Sequence, residues 1–218
     1  MILKSDPEGI FLAGQILKSG GIAAFPTDTV YGLGALYCDA GAVRKIFQAK
    51  GRPEEKPLSI LISETDQVSL LAREVSDTAR VLMDLFWPGA LTLIFRKKED
   101  AMIPEEVTRG LDTIGIRLPD SDTAIGVIKA AGAPVAAPSA NISGRRSATC
   151  AQEVVDDLDG RVDLILDGGG CPVGVSSTVL DLSEEGRGEI RILREGTITR
   201  RMIEDAIGTV FNSSLEGK

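Results

Sequence analysis

Short apolar runs alternate along the chain with longer segments in which apolar residues recur every three or four positions. The apolar runs have the length of buried strands, and the longer segments have the period of amphipathic helices. Their alternation predicts one α/β domain with a mixed sheet of about eight strands and with about seven helices. The predicted strands cover residues 22–25, 58–62, 91–95, 113–117, 135–137, 162–166, 178–182 and 189–193, and the last two form a hairpin.

Capping residues and glycines mark the ends of the predicted helices. Asp6 opens the first helix, and the second runs from Asp39 to Gly51. Thr149 and Gln152 form a pattern that resembles a capping box ahead of a later helix. The remaining predicted helices cover 66–72 and 77–86, the segment from Asp120 or Ser121 to Ala131, and the segment from Thr199 to Gly208.

The composition is that of one folded domain. The chain has 218 residues, of which 43% are hydrophobic but only 4% aromatic, so the core must be largely aliphatic. We expect the domain to span residues 5–208, followed by a frayed tail at 209–218. No apolar run approaches the roughly 18 residues that a membrane span needs, and no signal-peptide pattern opens the chain. Three widely spaced cysteines indicate free thiols and a cytoplasmic location.

Histidine is absent from the chain, and this absence limits the possible chemistry. It excludes Ser-His-Asp and Cys-His nucleophiles, zinc sites that use histidine, and an imidazole base. Against a net charge of −8, the basic loop at 50–56 (KGRPEEK) brings together Lys50, Arg52 and Lys56. A local excess of positive charge on an acidic protein favours a phosphate ligand. Taken alone, the loop is also compatible with an ordinary solvated surface.

Hydroxyl and cationic side chains recur where predicted strands end, which is where open α/β sheets bind ligands. Such groups suit an anionic, polyphosphate-bearing ligand, although two known nucleotide patterns fail. The Walker-like stretch 169–176 has Val175 in place of the phosphate-binding lysine, and the glycine pattern at 32–37 has Tyr37 where close packing is required. The recurring residues are Thr27, Thr29, Lys50, Arg52, Lys56, Thr113, Arg117, Ser139, Asn141, Ser143, Ser176, Ser177, Thr178 and Arg194.

Several sequence blocks follow one another in a characteristic order. They are FPTDTVYGLG at 25–34, KGRP at 50–53, KPL at 56–58, WPGALT at 87–92, IRLP at 116–119, APSANISG at 137–144, STVLD at 177–181 and LREG at 193–196. In this order they resemble the threonylcarbamoyl-AMP synthase (YrdC-like) family, in its short form without the C-terminal domain of longer members. The resemblance implies a twisted mixed sheet flanked by helices, with a concave, basic substrate cleft.

The resemblance also implies a reaction. L-Threonine, bicarbonate or CO2, and ATP would give threonylcarbamoyl-AMP and pyrophosphate. A separate transferase would then use this adenylate to form N6-threonylcarbamoyladenosine in tRNA. ATP is thus expected as a substrate, with Mg²⁺ on its triphosphate, and weak binding of tRNA itself is compatible with the resemblance.

Site residues follow from the resemblance at the matching positions. No acid/base side chain is expected to act, and charge stabilisation by Lys50, Arg52 and Lys56 replaces it. Many family members have a histidine near the position of Leu61 as a threonine contact, and this chain lacks it. The implied ATP-binding residues are Lys50, Arg52, Lys56, Thr113, Ser139, Asn141, Ser147 and Arg194. The implied threonine-binding residues are Thr29, Tyr31, Arg117, Ala137 and Ser177.

Two alternatives keep the fold but change the function. Related domains in longer chains handle carbamoyl groups in place of threonine and bicarbonate. A paralogue could instead bind RNA without catalysis, although the net charge of −8 and the low aromatic content argue against strong affinity for nucleic acid. Turnover with amino acids in the first case, and salt-dependent tRNA binding in the second, would distinguish these functions.

Overall fold

The fold is built on one ten-stranded mixed sheet. The structure, a computed structural model, describes residues 1–53, 55–187 and 189–208. The strands are β1 (Ile2–Lys4), β2 (Ala23–Phe25), β3 (Gly32–Leu36), β4 (Ile60–Leu61), β5 (Leu91–Arg96), β6 (Thr113–Arg117), β7 (Val135–Ala136), β8 (Leu164–Asp167), β9 (Thr178–Glu184) and β10 (Glu189–Arg194). The helices are α1 (Pro7–Lys18), α2 (Ala40–Lys50), α3 (Val68–Leu71), α4 (Asp77–Phe86), α5 (Glu105–Thr108), α6 (Asp122–Ala131), α7 (Ala151–Leu158) and α8 (Arg200–Ile207).

The strand order is β1-β8-β2-β3-β7-β4-β6-β5-β9-β10. Parallel pairs join β1 with β8, β8 with β2, β4 with β6, and β5 with β9. The other neighbours, including the predicted hairpin of β9 and β10, are antiparallel. The prediction of a single α/β domain with a mixed sheet is therefore confirmed.

Helices cover the two faces of the sheet unequally. On one face, α1 and α6 pack on β8, β2, β7 and β4 in a small core. On the other face, a larger core joins the sheet to α2, α4, α7 and α8. Consecutive residues of β8 alternate between these cores, with Leu164 and Leu166 in the small one and Ile165 in the large one. Because α1 and α6 stop short of β6, β5 and β9, that half of the face stays open.

Two strands were missed by the sequence analysis. β1 is only three residues long and pairs with β8, so the sheet begins before residue 5, the predicted start of the domain. β3 contains Gly32 and Gly34, and glycine is a poor strand former. A Cβ at Gly34 would lie 2.7 Å from Phe25 and 2.8 Å from Val135, so close packing requires glycine there.

The predicted helix starts are mostly confirmed. Side chains of Asp6, Asp39, Ser121 and Thr199 accept the capping hydrogen bonds of α1, α2, α6 and α8. The sequence analysis did not predict the short α5. The predicted tail at 209–218 lies outside the described residues.

The predicted capping box of Thr149 and Gln152 is wrong. Cys150 is the N-cap of α7 and makes no side-chain capping bond. Thr149 instead bonds Glu153, and Gln152 donates to Asp156. Thr149 therefore donates to the carboxylate of Glu153, one residue after Gln152, and Gln152 takes no part in the cap.

All three cysteines are free, as predicted. Among the described helices, none combines the length and the hydropathy that a membrane crossing requires.

Candidate functional site

A cleft opens over the half of the sheet that α1 and α6 leave uncovered. Its volume is about 600 Å³, within the range of small-molecule sites. Alternate residues of β6, namely Thr113, Gly115 and Arg117, form part of the floor. The rest of the floor consists of Thr92, Ile94 and Arg96 of β5 with Val179, Asp181 and Ser183 of β9. The walls include residues 27, 29–32, 52, 57–59, 61, 137–139, 176–177 and 193–194.

Arg117 is fixed at the inner end of the floor by three protein acceptors. Its Nε donates to the Gly89 carbonyl oxygen at 2.8 Å, its Nη1 to Thr29 Oγ1 at 2.8 Å, and its Nη2 to Asp28 Oδ1 at 2.5 Å. Only 6% of Arg117 and 7% of Asp28 are exposed. Burial lowers the pKa of Arg117, and the adjacent Asp28 carboxylate opposes that shift. A guanidinium has five N–H donors, so two remain beyond these bonds.

The loop that precedes β3 is rigidly held beside Arg117. Thr27 Oγ1 donates to the Val30 carbonyl oxygen at 2.7 Å and accepts from the backbone of Thr29 at 3.2 Å. The backbone carbonyls of Asp28 and Thr29 accept from the segment at 173–174. The loop therefore presents the Thr29 hydroxyl to the cleft in a fixed position.

Ser177 lies across the inner end from this loop. Its Oγ lies 2.8 Å from Thr92 Oγ1, and both residues are buried. Arg194 donates from Nε to the Ser177 carbonyl oxygen at 2.9 Å and from Nη2 to its Oγ at 3.2 Å. The inner end thus combines fixed hydroxyls with the cations Arg117 and Arg194.

Arg194 lies close enough to Arg52 and to Arg117 for their charges to repel. Burial lowers the pKa of Arg52, and the charges of Arg109 and Arg194 lower it further. Burial also lowers the pKa of Arg194, with a further contribution from Arg117. An anionic ligand among Arg52, Arg117 and Arg194 would relieve this repulsion.

The outer end of the floor has the opposite character. Arg96 forms ion pairs with Asp112 and Glu184, and Asp181 lies on the neighbouring row of the floor. The described lining therefore contains both arginines and carboxylates, and a basic cleft remains a prediction.

The three cationic side chains of the basic loop lie in different environments. Arg52 lines the cleft and donates from Nη2 to the Pro57 carbonyl oxygen at 2.9 Å. Its guanidinium lies 5.9 Å from the Phe47 ring centroid. Lys56 is exposed and is not among the residues that line the cleft.

Lys50 is buried, with 1% of its surface exposed. Its Nζ donates to the carbonyl oxygens of Ser139 and Asn141, each at 2.5 Å. Burial lowers the pKa of Lys50 to about 8, with Arg52 adding to the shift and Asp157 opposing it. The ammonium is therefore directed at the protein interior rather than at the cleft.

The buried Lys50 predicts a pH dependence of stability. The folded pKa of about 8 lies below the ordinary 10.5, so the unfolded chain binds more protons between these values. The free energy of unfolding of the wild type should then rise with pH relative to Lys50→Met, at up to about 1.4 kcal/mol per pH unit. Urea unfolding of both proteins from pH 7.5 to 10 measures this difference. A constant difference would contradict the lowered pKa.

The 139–143 loop follows β7 and contains two of the residues predicted to bind ATP, one of which lines the cleft while the other does not. Ser139 lines the cleft, and its Oγ donates to Asn141 Oδ1 at 2.5 Å. Asn141 is buried and donates to the carbonyl oxygens of Ile142 and Arg145. Ser147 lies partly exposed outside the lining.

Tyr31 contributes to the wall, and its hydroxyl bonds the glycine segment at 168–169. The hydroxyl donates to the Gly169 carbonyl oxygen at 2.8 Å and accepts from the Gly168 amide at 3.2 Å. Burial raises the pKa of Tyr31 to about 12, so it stays protonated near neutral pH.

The structure brings together most of the residues predicted for the site. In the lining are Arg52, Thr113, Ser139, Arg194, Thr29, Tyr31, Arg117, Ala137 and Ser177. The lining excludes Lys50, Lys56, Asn141 and Ser147. Sequence reasoning missed Thr92, Arg96 and Asp181. Alternation along β5 and β9 would have indicated them, because each shares a strand face with its neighbours two residues away.

Among the described residues, no group of three or more histidine, cysteine or acidic side chains could hold a metal ion. Mg²⁺ in nucleotide sites needs only one or two carboxylates besides phosphates and water. Asp181 could supply one such carboxylate, so the residues present fit a metal that arrives with a nucleotide.

Comparison with known proteins identifies relatives over nearly the whole chain. The Sua5/YciO/YrdC family model, described as telomere recombination, matches residues 15–196. The threonylcarbamoyl-AMP synthase of Bacillus subtilis is 46% identical over 206 residues, which cover 94% of this chain and 58% of the Bacillus protein. The chain thus spans well under two thirds of that relative.

Solved structures share the fold. Pyrococcus abyssi Sua5, crystallised with L-threonine, has a TM-score of 0.91 and 41% identity, covering 97% of this chain and 62% of that one. Escherichia coli YciO has a TM-score of 0.78 and 26% identity, covering 90% of this chain and 95% of that one.

Proposed function

Since the chain belongs to the Sua5/YciO/YrdC family, we propose that it is an L-threonylcarbamoyladenylate synthase. This nucleotidyltransferase forms threonylcarbamoyl-AMP and pyrophosphate from L-threonine, bicarbonate or CO2, and ATP. The observation that carries the proposal is that three arginines, Arg52, Arg117 and Arg194, line one cleft together with several hydroxyls. Such a site matches two anionic reactants that must approach each other.

The reaction needs positioning more than acid/base chemistry. The threonine nitrogen attacks CO2 and loses a proton, which gives a carbamate. An oxygen of the carbamate then attacks the α-phosphorus of ATP, and pyrophosphate leaves. Both reactants are negatively charged, so fixed cations lower the repulsion between them and orient them for attack. This chemistry is compatible with a chain that lacks histidine.

We place threonine at the inner end of the cleft. There the hydroxyls of Thr29 and Ser177 lie near Arg117, whose two remaining N–H groups can bind the carboxylate. Ala137 and Tyr31 form part of the adjacent wall. Leu61 also lines the cleft and is apolar, so the contact that a histidine makes in many family members is replaced by packing.

We place ATP along the rest of the cleft, with Arg52 beside the phosphates and with Arg194 beside them at the border with the inner end. Thr113 and Ser139 line this part, where the Thr113 hydroxyl can donate to the nucleotide and the Ser139 hydroxyl, whose proton goes to Asn141, can accept from it. Lys56 lies outside the lining and would reach the phosphates only by extending over the rim. Mg²⁺ bound to the triphosphate would further neutralise its charge. The product would pass to a tRNA threonylcarbamoyltransferase, and the free cysteines accord with a cytoplasmic location.

Pyrophosphate release with ATP, bicarbonate and single amino acids tests the proposal. Threonine should be favoured over its isostere valine by about 1–3 kcal/mol, because valine cannot form a hydrogen bond with the hydroxyls of Thr29 and Ser177. Serine controls for the hydroxyl without the methyl group. Equal turnover with threonine and valine, or release that needs no amino acid, would contradict the assignment.

A further inference from the structure

Lys50 ends α2, two residues before Arg52, yet the two side chains point in different directions. Arg52 lines the cleft, whereas Lys50 is almost fully buried beneath it. The Lys50 ammonium donates to the carbonyl oxygens of Ser139 and Asn141, and the Lys50 carbonyl oxygen accepts from the Ser143 amide at 2.9 Å. One residue thus makes three hydrogen bonds to a single loop.

The 139–143 loop needs such support because it has no regular secondary structure. The loop meets the neighbouring wall at two points, where Ser139 forms an isolated bridge with Gly32 and where the Ala140 amide donates to the Tyr31 carbonyl oxygen at 2.7 Å. On its far side, Asp157 accepts from the Ile142 amide at 2.9 Å. Lys50 bonds the residues that alternate with Ala140 and Ile142, namely Ser139, Asn141 and Ser143, and of these Ser139 lines the cleft.

We infer that Lys50 is a positioning residue that fixes the 139–143 loop, and that it supports nucleotide binding through Ser139 rather than by touching phosphate. The inference rests on the proposed function for the identity of the nucleotide. It assigns different roles to two cations of the basic loop, since Arg52 contacts the ligand and Lys50 shapes the surface on which the ligand lies.

Hydrogen-bond donors, rather than charge, are what this role requires. A neutral amine keeps two N–H groups, which match the two carbonyl oxygens that Lys50 faces. The charged groups near the Lys50 side chain are Arg52 and, from α7, Asp157, and Arg145 pairs with the latter. The loop should therefore stay in place when Lys50 loses its proton, whereas a phosphate contact would be lost.

The test compares wild type, Lys50→Met, Lys50→Gln and Lys45→Met. Lys45 is the matched control because it lies on the same helix and donates to the Gly20 carbonyl oxygen at 2.7 Å, far from the cleft. Lys50→Met should weaken ATP binding about two- to tenfold in calorimetry without threonine. Lys50→Gln should recover part of the loss because its amide donates without charge. Lys45→Met should bind as wild type does.

The pH profile separates the two roles. Burial lowers the pKa of Lys50 to about 8 and raises the pKa of Tyr31 to about 12 and that of Cys171 to about 11, and the chain has no histidine. ATP affinity of the wild type should stay within about twofold between pH 7 and 9.5. A steep loss above pH 8, or Lys50→Gln as weak as Lys50→Met, would establish direct phosphate contact and overturn the inference.

A double-mutant cycle and hydrogen exchange complete the test. In a Ser139→Ala background, Lys50→Met should cost less affinity than it does in the wild type, because the hydroxyl that it positions is gone. Fully additive losses would overturn the inference.

Lys50→Met, or Lys50→Gln if the first variant does not fold, should also speed amide exchange at Ala140, Asn141 and Ser143. Unchanged exchange would overturn the inference even if ATP binds, whereas absence of ATP binding by the wild type would overturn the proposed function instead.

Discussion

Replacing Arg52 with alanine should weaken ATP binding roughly 10- to 100-fold. Removal of a charge-assisted hydrogen bond costs about 1.5–3 kcal/mol, and Arg52 is the cleft-lining cation of the basic loop. The burial and the neighbouring cations that lower its pKa also raise the benefit of an anionic partner. Calorimetry with ATP alone measures the affinity, and steady-state pyrophosphate release should show a higher KM for ATP together with lower turnover.

Arg44 provides the matched control for Arg52. It lies on α2, forms a surface ion pair with Glu106 and does not line the cleft. Arg44→Ala should therefore leave ATP affinity unchanged. If Arg52→Ala binds ATP as well as Arg44→Ala does, the basic loop has only an ordinary surface role.

Arg52→Ala should also lower stability, which the sequence alone did not indicate. From the sequence, the basic loop was compatible with an ordinary solvated surface, but Arg52 is half-buried and donates to the carbonyl oxygens of Lys56 and Pro57. These bonds hold the loop against the cleft wall. A fall of about 1 kcal/mol in the free energy of unfolding is expected, which leaves the protein folded for the binding measurements.

Much of the fold was predictable because local and tertiary preferences agree. Buried strands such as β5 and β6 are apolar enough to be recognised, and Asp39 and Gly51 mark the limits of α2 by capping and by a left-handed backbone. β3 was not predictable in this way. Its glycines have low strand propensity, and only packing against Phe25 and Val135, which are distant in sequence, requires them.

The family resemblance, rather than residue type, brought most of the site residues to attention. It assigned Thr29 and Arg117 to the same substrate, and the Thr29 hydroxyl lies 2.8 Å from the Arg117 guanidinium, whereas their binding of threonine stays a proposal. The burial of Lys50 could not be predicted from the sequence, since a lysine in a charged loop is usually solvated. Its burial depends on the carbonyl oxygens of Ser139 and Asn141, which lie about 90 residues away in sequence.

Arg117→Lys should weaken threonine binding at least about tenfold, which is about 1.4 kcal/mol. Lysine keeps the charge but has one nitrogen, so it cannot serve the Gly89 carbonyl oxygen, Thr29 and Asp28 together and still bind a carboxylate with two N–H groups. The buried Asp28 would also lose part of its pairing, which should lower stability by about 1–3 kcal/mol. Thermal unfolding gives the stability, and calorimetry below the transition gives the affinities.

The two substrates should respond differently to Arg117→Lys. Thr113 and Arg117 share the floor of the cleft but are separated by about 13 Å along β6, so ATP affinity without threonine should change little. Arg96→Lys is the matched control, because Arg96 lies on the same floor at the outer end, beside Asp112 and Glu184. It should leave threonine affinity unchanged. If Arg117→Lys instead abolishes ATP binding and spares threonine, the two substrates occupy the cleft in the reverse order.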